Sequence, residues 1–566
     1  MKIAKYSFIA NTALLAGLEL MPAAQAQLAP DAGAIRQQIE RDLPAAPAKP
    51  LRLPPTHVDA VAPKGGVTVQ VRALRFEGNT LLTEAQLQRA VAPWVGRSLD
   101  YAGLQEAAAA VGEAYRANGW VARVLLPRQD VENGVVTIKV IEARFGALRV
   151  DGPSPARVPL AQVLSYLQAQ LKPGQALNTL ALERGLMLAD DLPGVVVSGS
   201  LVEGAGEGQT DVMLRLADEP LLMGDLVADN TGARATGNVR LAADVQLTSP
   251  LHMGDLLNTN LIHTEGSDYA RAEFTVPAGP QGLRVGANAS WLKYSLIAPE
   301  FARLKAYGWS GSSGVMASYP VLRSHERNLV LSGNYDYRTF DNRANGAVSS
   351  RYVVQDFTLG LSGNRFDSLG EGGVNAANAQ LVGSWVDLGG SPTLAADAAT
   401  TRTAGLSVKL RYGASRQQTL THSLSLYASL AGQWAGKNQD SSEKFYLGGA
   451  NGVRAYPVNE GGGASGQLVN LELRAQLPHE LVLIGFYDWG HVDVDAHTGF
   501  VGAPALNSYV LQGAGLSLGW HTEKGVTLKA TLARRLGSNP NPTPAGKDQD
   551  GSRILDRAWF SAMWSI

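Results

Sequence analysis

Two hydrophobic rhythms run along this chain, and the change from one to the other falls near Pro220. Between Val67 and Glu219 short alternating runs are interleaved with stretches of helical period. Val67, Val69 and Val71 alternate, Gly78-Asn79 forms a turn, and Thr83 with Gln86 makes a capping box that opens a helix. A second helix is predicted from about Tyr101 to Asn118, because Leu104, Ala107, Ala108, Val111 and Tyr115 share one face. Gly119 suits the left-handed residue at its end, and strands follow at Val121–Leu126 and Val135–Ile141 with Gly134 in the hairpin. The same order recurs from Ala147: helices near Leu160–Leu171 and Leu180–Ala189, then strands near Val195–Val202 and Thr210–Leu216. Two small β-α-α-β-β modules are therefore expected, over 67–144 and 145–219.

Beyond Pro220 the helical period disappears. Val239, Leu241, Ala243, Val245 and Leu247 alternate with polar neighbours, as do Leu329, Leu331, Tyr335 and Tyr337, then Leu406, Val408, Leu410 and Tyr412, and finally Phe560, Ala562, Trp564 and Ile566. Aromatic residues stand near segment ends at Trp291, Tyr294, Tyr319, Trp434 and Trp520, where an interfacial girdle belongs. A soluble sandwich also alternates, but this pattern persists through 220–566 without a predicted helix. About twenty residues per strand and connection give about sixteen antiparallel strands of a transmembrane β-barrel. No stretch approaches the ~18 apolar residues of a helical span, so a barrel is the remaining way to satisfy the backbone in lipid.

The N-terminus adds a compartment. Lys2 and Lys5 precede an apolar run from Phe8 to Met21 that ends in Pro22-Ala23-Ala24-Gln25-Ala26, which reads as a signal peptide over 1–26 cleaved between Ala26 and Gln27. In 31–43, Ile35, Ile39 and Leu43 form the stripe of a short amphipathic helix, and the Pro-rich segment 44–66 forms a stiff linker behind it. Lys+Arg number 49 against 50 Asp+Glu, so no basic footprint for nucleic acid exists, and the absence of Cys removes disulfides and thiolate chemistry. Charged residues reach only 17% while Gly numbers 62, a balance that suits a membrane-facing β protein.

Candidate chemistry fails on context. Gly515-Leu516-Ser517-Leu518-Gly519 matches the nucleophile-elbow pattern, yet alternation continues from Tyr509 to Trp520, leaving Ser517 an ordinary residue on the polar face. Gly204-Ala205-Gly206-Glu207-Gly208 lacks the helix of a dinucleotide fingerprint and reads as a hairpin turn. The nine His are scattered without ligand spacing. No catalytic residue, metal site or cofactor is expected.

Glu443 to Pro457, EKFYLGGANGVRAYP, stands out. Gly448-Gly449 with Val453-Arg454-Ala455-Tyr456 resembles the V-R-G-Y/F tip of the long sixth extracellular loop in two-partner secretion transporters, the haemolysin secretion/activation proteins. Phe486-Tyr487-Asp488-Trp489-Gly490 is similar to that family's F-x-D-x-G strand motif, Asp229-Asn230-Thr231-Gly232 with Thr236-Gly237 resembles its first barrel strand, and Gly119-Trp120 with Leu126-Pro127-Arg128-Gln129 resembles its first periplasmic module. Ala455 replaces the usual Gly, and Ile566 stands where related barrels often carry an aromatic residue.

The resemblance implies a sixteen-stranded barrel in the outer membrane of a Gram-negative bacterium, two POTRA modules in the periplasm and an N-terminal helix that plugs the pore. It also implies export of a large TpsA-type secreted partner: an adhesin, a haemolysin or a contact-dependent toxin. Partners are then that protein and outer-membrane lipid, with no nucleic acid, and the transporter is a monomer or weak oligomer. A barrel-assembly factor of the BamA-like kind is the alternative. If the loop carrying Arg454 folds into the lumen, its guanidinium needs a carboxylate. Asp488 is the expected partner, because Phe486, Asp488 and Gly490 share the side of the strand opposite Tyr487 and Trp489, and the two aromatics belong against lipid.

Overall fold

The computed structural model describes residues 29–43, 68–523 and 525–566. The signal peptide expected over 1–26, its cleavage pair Ala26 and Gln27, and the Pro-rich linker 44–66 lie outside the described residues.

In the first module, Val135–Glu142 is the central strand, parallel to Ala73–Glu77 and antiparallel to Ala122–Leu125. Its Val136, Ile138 and Val140 point into a core closed by helices α2 (Glu84–Val91) and α3 (Tyr101–Ala117), which contribute Leu87, Val91, Ala107, Val111 and Tyr115. Helix α2 starts at Thr83 because both halves of the capping box form with Gln86. Helix α3 stops at Gly119, whose φ of 78° suits a residue without a Cβ. Glu142 fastens this module. Its carboxylate accepts from the Thr80 and Leu81 amides at 2.6 and 2.7 Å, from the Tyr115 hydroxyl at 2.8 Å and from the Thr80 hydroxyl. Burial raises its pKa, but the bonds from Thr80, Leu81 and Tyr115 outweigh that and hold the carboxyl below its ordinary 4.5.

The second module repeats the plan with Gln209–Asp218 in the centre, Arg144–Val150 and Val195–Glu203 beside it, and helices α4 (Leu160–Gln170) and α5 (Thr179–Asp190). Backbone bonds run across the junction, Thr179 to Gly119 at 2.9 Å and Leu177 to Ala143 at 2.8 Å, so the two modules are joined by hydrogen bonds as well as by the chain. The second module docks under the barrel's short turns at one end. Arg323 forks onto Asp191 at 2.7 and 2.6 Å, Arg184 donates to the Pro320 carbonyl at 2.9 Å, and Gln162 donates to the Met253 carbonyl at 2.8 Å.

Sixteen strands from Leu222–Asp229 to Asp556–Ser565 form a closed barrel, each antiparallel to the next in sequence, with the last strand paired to the first. The alternation seen in the sequence becomes outside and inside. Along the fifth strand, Arg284–Ser295, Ala289, Trp291 and Lys293 face out while Asn288, Ser290 and Leu292 face in. Trp291, Trp434 and Trp520 lie exposed on the outer surface, as expected of a girdle. Tyr294 does not: it points into the lumen and donates to Asn342 at 2.9 Å, because its position has the opposite parity to Trp291. Besides 3-10 turns at Pro299–Leu304 and Ser441–Glu443, the described residues beyond Pro220 contain one short α-helix, α6 (Leu394–Ala399), against the expectation of strands alone. It sits in the loop between the ninth and tenth strands, held by Asp397 accepting from the Thr403 and Ala404 amides at 2.8 and 3.1 Å.

Helix α1 (Ala32–Asp42) lies inside the barrel. Asp31 caps it by accepting from the Ala34 amide at 2.9 Å, and Ile35 and Ile39 pack against Leu292, Phe340, Tyr352 and Val354 of the barrel wall. Arg36 reaches across to the hydroxyls of Ser290, Ser310 and Ser312 at 2.8, 3.2 and 2.6 Å.

Replacing Glu142 by Ala strands the half-buried Leu81 amide and the buried Tyr115 hydroxyl and is expected to cost the first module about 2–3 kcal/mol. Because the folded-state pKa is depressed, the stabilisation is present above pH 4.5 and is lost as the pH falls below that value. Thermal unfolding of the modules in the whole protein at pH 7 and pH 3.5, with the gap between wild type and Glu142→Ala narrower at the lower pH, checks both statements.

Candidate functional site: a luminal loop anchor

The loop between the eleventh strand (Leu424–Ala435) and the twelfth (Ser465–Leu477) turns inward rather than outward. Phe445–Tyr446 pairs with Gly462–Gly463, so the loop returns on itself as a hairpin. Its tip is closed by the Val453 amide donating to Leu447 at 2.8 Å and the Tyr456 amide donating to Val453 at 3.0 Å. Val453 and Ala455 are fully buried, and Arg454 keeps 5% of its surface.

Arg454 meets Asp488 of the thirteenth strand (Leu481–Asp493) through a two-pronged contact, Nε to Oδ2 at 2.9 Å and Nη2 to Oδ1 at 2.6 Å. The Arg454 amide adds a third bond to Oδ2 at 3.0 Å, and Asn470 completes the carboxylate at 2.7 Å. A second acid shares the charge: Nη1 donates to Glu472 of the twelfth strand at 2.9 Å. The guanidinium carbon sits 3.5 Å from the Phe486 ring centroid, a cation–π contact, and the Arg454 carbonyl accepts from Trp559 Nε1 at 2.8 Å. Arg454 is thus satisfied from three strands of the wall at once, the twelfth, the thirteenth and the sixteenth.

Glycine lets the tip come this close. A Cβ at Gly490 would stand 2.8 Å from Leu447 and 3.1 Å from Val453, and one at Gly513 would stand 2.6 Å from the Ala455 methyl. The extra carbon that Ala455 carries in place of the family's Gly is accommodated by that opposing Gly513. Tyr456 lies under Arg535, 4.2 Å from guanidinium to ring centroid.

A second buried ion cluster went unread in the sequence. Glu443, at the root of the same loop, binds Arg338 of the seventh strand and Lys409 of the tenth, and Arg338 also binds Asp356. Lys409 is fully buried. These partners are 105 and 34 residues from Glu443, and no local pattern joins them. Helix α1 is stitched to the loop as well: Arg41 donates to the Tyr446 and Gly448 carbonyls at 3.0 and 3.2 Å, and Ser441 donates to Asp31 at 2.8 Å.

A closed sixteen-strand barrel holding a helix and an inward loop, with two small modules docked at one end, defines an outer-membrane translocation pore of the two-partner secretion kind. Residues 208–520 match the sequence model of the haemolysin secretion/activation protein ShlB/FhaC/HecB family, and residues 69–143 match that of the ShlB-type POTRA domain; the chain belongs to this family. The heme/hemopexin transporter protein HuxB of Haemophilus influenzae (strain 86-028NP) is 24% identical over 551 residues, covering 94% of this chain and 96% of the relative. The outer membrane transporter CdiB of Escherichia coli is 27% identical over 425 residues, covering 72% of this chain and 69% of the relative. Among solved structures, CdiB from Escherichia coli shares the fold with a TM-score of 0.65 at 22% identity, covering 90% of this chain and 93% of that one. BamA from Haemophilus ducreyi lacking POTRA domains 1–3 is more distant, with a TM-score of 0.53 at 15% identity, covering 88% of this chain and 100% of that one. The protein is an outer-membrane transporter that exports a large secreted partner, with its POTRA modules in the periplasm.

Breaking one side of the Arg454 anchor leaves a buried charge uncompensated and is expected to cost up to about 3–5 kcal/mol. Arg454→Ala and Asp488→Ala are each expected to release the loop, read as faster protease cleavage between Leu447 and Val458 in the detergent-solubilised barrel. The double variant is expected to be no worse than either single one, whereas additive effects would show that the two groups act independently. Gly490→Leu is expected to release the loop by steric displacement alone.

Proposed function

We propose that the partner crosses as an extended, unfolded chain, that the POTRA sheet edges capture it, that the Arg454 anchor holds the loop in the position export needs, and that no chemical step is catalysed. The buried fork between Arg454 and Asp488 carries this reading. A loop free to move as a simple lid has no use for a desolvated ion pair closed by two acids, an aromatic face and an indole donor. The outer strands of the two sheets are Ala73–Glu77 and Ala122–Leu125 in the first module and Arg144–Val150 and Val195–Glu203 in the second, each laddered to one neighbouring strand among the described residues. An extended polypeptide can add to such an edge through backbone hydrogen bonds, which read shape rather than sequence.

The second module leads into the lumen. A cavity of about 910 Å³ extends from Asp191 and Arg323, the docking pair under the barrel, to Asn451 and Arg454 at the loop tip. Its wall on the eighth to eleventh strands is uncharged, with Ser362, Asn378, Ser415 and Ser429 facing in. Small hydroxyl and amide groups can exchange hydrogen bonds with a passing backbone without holding it as a fixed ion pair does. Helix α1 fills the neighbouring part of the lumen and acts as the plug of the resting pore. Its polar contacts, Arg36 to three serines and Arg41 to two loop carbonyls, can be replaced by water when it leaves.

Three variants test this reading. Arg454→Ala is expected to abolish partner secretion while the barrel still inserts, and Arg454→Lys to rescue poorly because the planar fork is lost; normal secretion by Arg454→Ala overturns the anchor's role. Removing 67–219 is expected to abolish secretion with the barrel intact, measured as partner protein in the medium against heat-modifiable mobility of the barrel. Deleting 31–43 is expected to raise single-channel conductance in planar bilayers with secretion retained, and unchanged conductance would show that the helix does not plug the pore.

A further inference from the structure

On the outer face of the barrel the eighth to eleventh strands carry small residues where lipid-facing strands usually carry large ones. Gly363, Ala377, Ala379, Ala414 and Ala428 form the floor of an open groove of about 790 Å³. Leu329, Leu361 and Leu430 stand at its sides. These residues share the parity of Leu331, Leu359 and Leu381, which are exposed on the outer surface, so the groove faces the bilayer.

Its periplasmic end is cationic. Arg327 of the seventh strand pairs in register with Arg365 of the eighth, Arg365 with Asn375 of the ninth, and Asn375 with Arg416 of the tenth, giving one outward-facing row across four strands. The adjoining turn after the sixth strand contacts the second POTRA module through His325 and Glu183, which places the row at the inner-leaflet level. Arg416 is satisfied by Asp367 at 2.7 Å and Asn375 at 2.7 Å. Arg327 and Arg365 are exposed, and among the described residues neither has an ion-pair partner, although Glu326 and Glu371 lie in the adjoining turns. Like charges directly opposite each other on neighbouring strands repel. An anion between the two guanidinium groups removes that penalty, and guanidinium suits phosphate oxygens in geometry as well as charge.

We propose that this groove binds an anionic phospholipid of the inner leaflet, its phosphate bridging Arg327 and Arg365 and an acyl chain lying over Ala377, Ala379, Ala414 and Ala428. The groove supplies an apolar bed that ends at a phosphate-binding pair, and the membrane delivers the ligand by position. The same strands form the uncharged wall of the luminal cavity, so the bound lipid thickens the barrel wall where side chains are small on both faces. The site rests on the barrel alone and not on the identity of the exported partner.

Native mass spectrometry of the whole transporter, released from detergent after incubation with equimolar phosphatidylglycerol and phosphatidylcholine, reads retention of each lipid. Wild type is expected to retain phosphatidylglycerol in preference. Removing one arginine, as Arg327→Gln or Arg365→Gln, is expected to lower that preference about fivefold, the scale of a single basic residue at an anionic lipid surface. Ala377→Leu with Ala414→Leu, which fills the groove, is expected to lower retention of both lipids with the arginines intact. Heat-modifiable mobility confirms that each variant is a folded barrel, and the two single-arginine variants serve if the leucine pair does not insert. Unchanged preference in both single-arginine variants overturns the proposal, as does full retention by the leucine pair. Complete displacement of phosphatidylglycerol by excess inorganic phosphate overturns it too, since the site would then bind a free anion. Partner secretion is assayed separately, so failure of this site leaves the transport reading untouched.

Discussion

A strand inside a bilayer has to pair every backbone N–H and C=O with a neighbouring strand, because hydrocarbon offers no other partner. The barrel meets this requirement only by closing, and its closure is the shortest ladder in the wall. Five residue pairs, from Ser561↔Asp229 to Ser565↔Asp225, join the last strand to the first, extended by reciprocal backbone bonds between Ile566 and Gly224 at 2.9 and 3.3 Å. Ile566 therefore contributes through its backbone at the position where related barrels often carry an aromatic residue. The seventh and eighth strands, by contrast, run in register for most of Arg327–Ala344. The wall is tallest at these strands and shortest where it is sealed.

Closing sixteen strands encloses more space than their own inward side chains fill. The helix and the inward loop occupy it, and both bring charge into a place where solvation is poor. Arg454 is answered by Asp488 and Glu472, and Glu443 by Arg338 and Lys409. Such sets are specific in position because removing one member leaves the rest buried and uncompensated. The helix lacks a comparable buried set to the loop. It meets the wall through the hydroxyls of Ser290, Ser310, Ser312 and Tyr269 and the loop through the Tyr446 and Gly448 carbonyls and the Ser441 hydroxyl, so these partners of the helix are neutral groups while the loop tip is held by paired charge.

Much of this was readable along the chain. The Thr83–Gln86 capping box, the left-handed Gly119 and Gly134, and the inward parity of Ser517, buried against Thr531 at 2.7 Å, all depend on neighbours a few residues away. Tyr294 was misplaced because its neighbour Trp291 lies three positions off, an odd step that reverses the face in a strand. Helix α6 was missed because six residues of weak helical pattern carry no period of their own; it is held by Asp397 bonding to residues that follow it.

The sequence by itself determined the order of parts, the two module folds, the barrel and the inward direction of Asp488, because each follows from spacings of two to four residues that backbone geometry converts directly into a face. Only the tertiary structure decided that Glu472, Phe486 and Trp559 share Arg454, that Glu443 gathers Arg338 and Lys409, and that a row of arginines meets a groove of alanines. Those contacts depend on which strands become neighbours and in what register once the barrel closes, and the energy that selects the register belongs to the whole ladder rather than to any segment of it.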